Sequence, residues 1–563
     1  MLPENSAVRI LLLYKCHLAG ARDPFTPLLP TGLGYIGAYL RAHGFDPLLA
    51  NLSVSSWAHA EDLIARECPD LVCISQFTHN RFESLKLAAL VKRLVPSCVT
   101  LLGGPHATHT FAAILDKHPE VDAVVLGEGE ETILEVARMV AAGGGAFSAV
   151  QGVAYRGEGG VRSTARPPLG DLDGLPFPVH GYERAEGCDI RRQLEFIITS
   201  RGCPASCRFC SSPLFWGRSL RFRSPRSMVD EIRLLRDRYG LIYFSLRDDT
   251  FTARADRVVE FCRLLLAEQV HILWNCQSRV NCVDDEMLLW MRRAGCECIQ
   301  YGIESGSEKV LAMLGKRITP EQVRRAARAT RRAGINLSIY LITGVPGETE
   351  DDVQATVRLV NEILPHDGQV APLAYYPGTA LFADAVREGR VPGDLFERQR
   401  GEAFYVRSDP FVARASETLL RALDRVGRRA RFGPADFGRQ RQILGYCHTT
   451  ALAEGEWHEE QGDFGSAESV YREITERQPG NPWGWLALGG LYGGEGRVEQ
   501  AVRMFRRALT IVPAHLPAHL ALGDLLVMVG DRKGARRHYE RARELDPHDG
   551  EIRDRLKKLG GKG

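Results

Sequence analysis

The stretch LEFIITSRGCPASCRFC, residues 194–210, is an apolar, β-branched run that breaks at Gly202 into a loop carrying three cysteines. Such a run, bounded by glycine, predicts a strand over Leu194–Ser200, so Cys203, Cys207 and Cys210 follow a strand's carboxyl end. The spacing C-x3-C-x2-C lets three thiolates hold three corners of one [4Fe–4S] cluster and leaves the fourth iron open to another ligand. The competing readings are a zinc site borrowing a distant ligand and three ordinary loop cysteines. Zinc normally takes four protein ligands, and no nearby histidine supplies the fourth.

Outward from that loop a strand–helix rhythm recurs. Strands are predicted at Leu241–Arg247, Ile272–Arg279, Cys298–Glu304, Asn336–Thr343 and Gln369–Tyr375. Helical patterns at Met228–Tyr239, Asp256–Glu268, Asp285–Ala294, Pro320–Ala333 and Asp351–Ile363 separate them. Six βα units are too few for an eight-stranded barrel, so residues 188–390 are expected to form a partial (β/α)6 barrel. Ligands of such barrels sit at the strands' carboxyl ends. Asp248-Asp249-Thr250-Phe251, Gly302-Ile303-Glu304-Ser305-Gly306, Thr343–Glu348 and Tyr375–Thr379 all fall there. Alternation puts Cys298, Gln300, Gly302 and Glu304 on one face, and Asn275, Gln277 and Arg279 form a second polar set. Cys296 and Cys298 read as core thiols.

Residues 1–150 alternate strands (Val8–Leu13, Pro47–Leu52, Leu71–Ser75, Val99–Leu102, Ala123–Leu126) with helical patterns such as Leu33–His43 and Ser84–Val95. That alternation predicts a Rossmann-like, doubly wound parallel sheet. Glycine turns fall at its ligand-facing ends: Thr31-Gly32-Leu33-Gly34, Gly103-Gly104-Pro105-His106 and Gly127-Glu128-Gly129-Glu130. A Pro/Gly-rich stretch predicts a linker over 151–187.

Beyond the barrel, 391–450 reads as a helical extension. Residues 451–563 repeat with a step of 34: Gly462/Gly496/Gly530, Ala467/Ala501/Ala535, Pro479/Pro513/Pro547 and Tyr471/Phe505/Tyr539. This period and residue set resemble the tetratricopeptide repeat (TPR), giving three helix–turn–helix units with a capping helix over Arg553–Leu559. The fold class expected is therefore multidomain α/β plus all-α.

Composition narrows the function classes. Hydrophobic residues at 44% and charged ones at 25% are ordinary globular usage. A net charge of +2 over 563 residues provides no global field for nucleic acid. No apolar run approaches the ~18 residues that cross a bilayer, and the apolar start Ile10–Tyr14 lacks the flanks of a secretion signal. Fourteen cysteines then point to thiols and metal ligands in a cytoplasmic protein.

The triplet Cys203, Cys207, Cys210, with the aromatic Phe209 before its last member, resembles the radical S-adenosylmethionine (SAM) superfamily. With a doubly wound domain in front, the region from about residue 5 to 390 resembles its cobalamin (B12)-binding class. The resemblance implies that the cluster's open iron chelates SAM and that its electron yields a 5′-deoxyadenosyl radical. It also implies SAM binding by Glu304, and cobalamin binding by Ser75, Gly103, Gly104, Gly127 and Gly129. Ser75 precedes Gly103-Gly104 by the spacing of cobalamin-binding folds, but the expected D-x-H-x-x-G motif is missing. Leu28–Gly34 stands in its place, so the cobalt is expected without a protein histidine ligand; His106 is a weak substitute. The implied activity is a methyltransferase acting on an unactivated carbon of a small-molecule or peptide substrate, with an external electron donor. A radical cyclase or rearrangement enzyme, and a TPR protein-binding scaffold with a relic barrel, are the alternatives. The repeats are expected to offer a surface for a protein partner, or to serve as a cap or oligomer contact.

Overall fold

The computed structural model describes residues 8–16, 25–398, 401 and 403–560. Its first sheet contains β1 (Ile10–Tyr14), β2 (Leu48–Asn51), β3 (Leu71–Ser75), β4 (Val99–Gly103), β5 (Ala123–Val125), β6 (Val153–Gly157), β7 (Gly160–Ser163) and β8 (Ala185–Glu186). Their order is β7-β6-β5-β4-β3-β1-β2-β8. The pairs from β5 through β8 on the far edge are parallel, and only the β5–β6 and β6–β7 pairs are antiparallel. β1–β5 are buried almost throughout, as a sheet covered on both faces requires. The chain reverses direction across the sheet between β1 and β3, the switch point at which such sheets bind ligands.

The stretch 151–187 is not the linker its composition predicts. Three of its segments become β6, β7 and β8, and the turn Pro178–Glu183 packs on the helix Thr31–Ala42. Proline and glycine signal the turns between these short strands, and their pairing is non-local, so the composition alone reads as a connector.

The second sheet is β9 (Phe196–Ile197), β12 (Tyr243–Leu246), β13 (Leu273–Ser278), β14 (Cys296–Glu304), β15 (Asn336–Thr343) and β16 (Asp367–Pro372). These strands pair in sequence order, all parallel, as a six-stranded open barrel. The predicted strand Leu194–Ser200 shrinks to two residues in β9. Ser200 and Arg201 form β10, paired antiparallel with β11 (Arg221–Phe222). The helix Pro410–Ala430 of the predicted extension lies against β16 and the helix Glu350–Ile363, and thus covers the barrel's last strand. One apolar core runs from the first sheet (Leu12, Leu101) into the barrel (Phe244, Trp274, Ile339).

Helices at His448–Glu460, Phe464–Arg477, Pro482–Gly494, Val498–Ile511, Leu516–Met528 and Arg532–Leu545 form three antiparallel pairs, followed by Gly550–Gly560. The 34-residue step has a steric cause. Cβ atoms on Gly455, Gly489 and Gly523 would meet the rings of Tyr471, Phe505 and Tyr539 at 2.2, 3.0 and 2.3 Å, so each pair closes an aromatic onto a bare helix. The array abuts the strand starts of the barrel: Leu273 joins its core, the His271 and His448 rings meet edge to face, and Arg292 donates to the Thr449 carbonyl. Among the described residues no helix is long and apolar enough to cross a membrane.

Candidate active site

Two cavities lie at the carboxyl ends of the two sheets. The first, about 280 Å³, opens at the ends of β3, β4 and β5. Ser75, Gly103, Gly104, Gly127 and Gly129 line its sheet side, while Ile198, Arg201, Phe215 and Trp216 of the barrel line the opposite wall. Gly104 has φ +103°, and a Cβ there would stand 2.7 Å from the Gln76 carbonyl oxygen, so only glycine lets these two turns touch. Gln76 N–H donates to the Gly103 carbonyl at 2.7 Å, which ties them together. Asn80, fully buried, fixes the same corner: its amide donates to the carbonyls of Ser75 and Lys15, and its oxygen accepts from Phe77 N–H at 2.6 Å. Sequence reasoning missed Asn80; its place five residues after a strand-ending serine was the available signal.

The Gly127–Glu130 turn is held from the barrel side. Arg201 donates to Glu128 at 2.7 Å and to Glu130 at 2.6 Å, and Arg221 donates to Glu128 at 2.7 Å. All four side chains are buried or nearly so. Buried charges are tolerated when paired in this way, so the ion pairs fix the register of barrel against sheet. Arg201 also lies over the rings of Tyr35 and Trp216, at 5.2 and 5.1 Å.

The second cavity, about 180 Å³, sits in the barrel mouth and carries charged and hydrogen-bonding side chains among its lining. Cys203, Cys207, Phe209 and Cys210 share it with Asp249, Gln277, Arg279, Gln300, Glu304, Lys316 and Tyr340. Glu304 ends β14 with φ +62°, a left-handed backbone that an L-residue adopts at a cost of about 1–3 kcal/mol. Its carboxylate accepts from Lys316 Nζ at 2.6 Å. Asp248 does not face the cavity; it accepts from the backbone of Thr199 and Ser200 and so anchors the start of the cysteine loop. Asp249 accepts from the Ser212 hydroxyl, and burial raises its carboxyl above the usual range. The Gln277, Gln300 and Tyr340 side chains form an uncharged hydrogen-bonded floor, with Tyr340 donating to Gln300 at 2.9 Å.

The donor set fits a [4Fe–4S] cluster. Three thiols line one cavity, and among the described residues no fourth cysteine and no histidine joins them. Among the described residues no three His, Cys, Asp or Glu side chains close around a single ion. Burial pushes the Cys210 thiol up to about 11, so iron coordination is what would hold it as a thiolate. The first cavity fits a ligand approached in part through backbone, since Gly103, Gly104, Gly127 and Gly129 stand at the strand ends that line it. No histidine lines it among the described residues. His106 lies elsewhere, buried, with Nδ1 3.1 Å from the Thr78 hydroxyl and its ring against Phe396; burial lowers its pKa to about 3. Cys296 is buried and Cys298 half-buried, and neither lines the second cavity. The short helix Ser212–Phe215 follows Cys210 and separates the cavities: Ser212 and Pro213 line the second, and Phe215 and Trp216 the first.

Comparison with known proteins agrees with this layout. The Radical SAM superfamily matches residues 197–360, the B12 binding domain residues 24–137, and the tetratricopeptide repeat residues 494–559. An uncharacterized methyltransferase of Pyrococcus horikoshii is 30% identical over 394 residues, covering 68% of this chain and 82% of its own. The anaerobic magnesium-protoporphyrin IX monomethyl ester cyclase of Rubrivivax gelatinosus is 28% identical over 390 residues, covering 67% and 70%. The solved structure of the radical SAM methyltransferase TsrM from Kitasatospora setae, with cobalamin and a [4Fe–4S] cluster, superposes with TM-score 0.59 at 18% identity, covering 83% of this chain and all of that one. The chain belongs to the radical SAM superfamily, in the class that carries an N-terminal B12-binding domain.

Proposed function

We propose that this protein is a cobalamin-dependent radical SAM methyltransferase that methylates an unactivated carbon. The observation that carries the reading is the four-residue helix Ser212–Phe215, whose two ends line the two cavities, so that groups bound in each would face one another across one turn of backbone. Bound there, the cluster and SAM would supply a 5′-deoxyadenosyl radical, and cobalamin a transferable methyl group.

This chain's own residues prepare that chemistry. Cys203, Cys207 and Cys210 would bind three irons and leave the fourth for SAM. Phe209 and Glu304 would contact SAM, with Lys316 fixing the Glu304 carboxylate. Ser75, Gly103, Gly104, Gly127 and Gly129 would hold the cobalamin tail, because backbone without Cβ atoms allows close approach. Phe215 and Trp216 would shield the space between the cofactors from water. The substrate is read as a small molecule or peptide, and the electron as coming from an external donor in the reducing cytoplasm. The repeats are read as a surface for a protein partner as well as a support for the barrel.

Anaerobic reconstitution with iron, sulfide and cobalamin, followed by incubation with methyl-labelled SAM, tests the reading. Label should pass from SAM to cobalamin, and deoxyadenosine should form only when the cluster is present. A protein that loads the cluster but leaves cobalamin unmethylated loses the methyltransferase reading. The similarity to cyclases keeps a second reading alive, which a product of lower hydrogen content and unchanged carbon count would favour.

A further inference from the structure

We propose that Arg279 and Lys316 act as a two-armed positioning brace: Arg279 sets the reduction potential of the cluster through Cys207, and Lys316 separately presents Glu304 to SAM. The inference rests on the cofactor reading above and deepens it.

The brace is built on one turn. The chain leaves the helix Glu308–Met313 and passes through Leu314, Gly315, Lys316 and Arg317, with left-handed backbone at Gly315 and Arg317 (φ +64° and +51°). This turn touches three parts of the site. Its Leu314 carbonyl accepts from Arg208 N–H at 2.9 Å, inside the cysteine loop. Its Lys316 carbonyl accepts from Arg279 Nη2 at 2.8 Å. Its Lys316 ammonium donates to Glu304 at 2.6 Å. With one nitrogen of its fork fixed on that carbonyl, Arg279 aims the other at Cys207 Sγ, 3.6 Å away.

The three sulfurs are therefore not equivalent. Cys203 is approached by the neutral Thr250 hydroxyl at 4.0 Å, whereas Cys207 is approached by a guanidinium. Lys316, the other cation of the cavity, has its charge matched by Glu304 at 2.6 Å. Hydrogen bonds to cluster sulfurs and the net charge around them tune cluster potentials. Reduction adds one negative charge to the cluster, so a cation bonded to one thiolate favours the reduced form and raises the potential. Both arms hang from Lys316, yet each meets a different ligand, so their effects should separate.

The test is a redox titration of the reconstituted holoenzyme followed by electron paramagnetic resonance, together with SAM binding and iron content. Arg279→Gln is expected to lower the reduced-to-oxidised ratio at fixed potential about tenfold, a shift of about 59 mV for one electron. Arg279→Lys, which keeps charge but loses the fork, should recover part of that shift. Lys316→Met should weaken SAM binding about tenfold and leave the midpoint near wild type. An unchanged midpoint in Arg279→Gln at normal iron content overturns the proposal, as does an equal effect of both substitutions on both readouts. If Arg279→Gln takes up no iron, Arg279→Lys decides: a midpoint part-way below wild type upholds the proposal, and a wild-type midpoint overturns it. Wild-type protein that shows no cluster signal at all sinks the cofactor reading instead.

Discussion

The two ends of the barrel bury titratable groups in opposite ways. At the cofactor end acid and base stand in ion pairs, Arg201 and Arg221 with Glu128 and Glu130, and Lys316 with Glu304, with Asp249, held by the Ser212 hydroxyl and raised by burial, as the exception. At the floor, where the repeats abut the strand starts, burial drives groups toward neutrality. It lowers His271 to about 4, His448 to about 3 and His515 to about 4, and raises the carboxyls of Glu297 and Glu456. Glu297 accepts from the Tyr243 hydroxyl, which also accepts from Asn275 at 2.9 Å. A buried charge is costly without a partner. The cofactor end pairs acid with base because it must present ligands and fix a domain register, while the floor only has to adhere and does so mainly through neutral groups, the buried Arg292 on the Thr449 carbonyl being the charged exception.

The largest effect expected is Cys207→Ala, which should reduce deoxyadenosine release to background and lower iron content. Its melting profile should stay close to wild type, because the floor is untouched. Arg201→Gln comes next. It leaves Glu128 and Glu130 short of their shared partner in a buried place, a cost of about 3–5 kcal/mol, seen as a lower urea midpoint together with loss of cobalamin. Gly104→Ala should cost about 1–3 kcal/mol, since its φ is +103° and its new Cβ meets a backbone oxygen at 2.7 Å. Cobalamin retention on a desalting column reads that effect directly; full retention would contradict the backbone-contact reading of the first cavity.

Acid probes the floor. A histidine whose folded pKa lies below its unfolded value of about 6.5 binds protons preferentially when unfolded. Stability is therefore lost as pH falls from about 6.5 toward 4, by about 1.4 kcal/mol per pH unit for each such histidine. The raised carboxyls of Glu297 and Glu456 act in the other direction, stabilising the fold at low pH and losing that contribution as pH rises through their folded values. His448→Phe should flatten the acid limb of the melting curve; an unchanged limb would break the contrast between the two ends. The smallest effect lies within the repeats. Glu468, held down to about 2 chiefly by Arg497 with help from Tyr492 and Arg472, should contribute about 1 kcal/mol at most. That contribution is present above about 4.5 and fades as pH falls toward 2. Glu468→Gln should thus lower the melting temperature at pH 7 and matter little near pH 3.

Local signals in the chain carried the repeats and the barrel count well. The 34-residue step is a covalent spacing that maps directly onto stacked helix pairs, and parallel strands announce themselves by alternation with helices. The cysteine triplet was legible because its three thiols lie within eight residues. The stretch 151–187 and the short β9 were less legible, since hydrogen bonds to partners far along the chain decide whether such segments are strands. Arg201 and Lys316 were invisible as site residues for the same reason: each meets groups brought near only by folding. Arg279 was visible as one of a polar set on its strand, but its approach to Cys207 was not.

By itself the amino-acid order determined which elements form and which chemical groups are available: three sulfurs in a short loop, glycines at strand ends, and a helical period. These depend on neighbours a few residues away. Only the tertiary structure decided that two cavities share one four-residue wall, that buried arginines clasp the Gly127–Glu130 turn, and that the repeats close the barrel's floor. Those facts depend on contacts between residues tens to hundreds of positions apart, made when apolar faces from distant segments are withdrawn from water together.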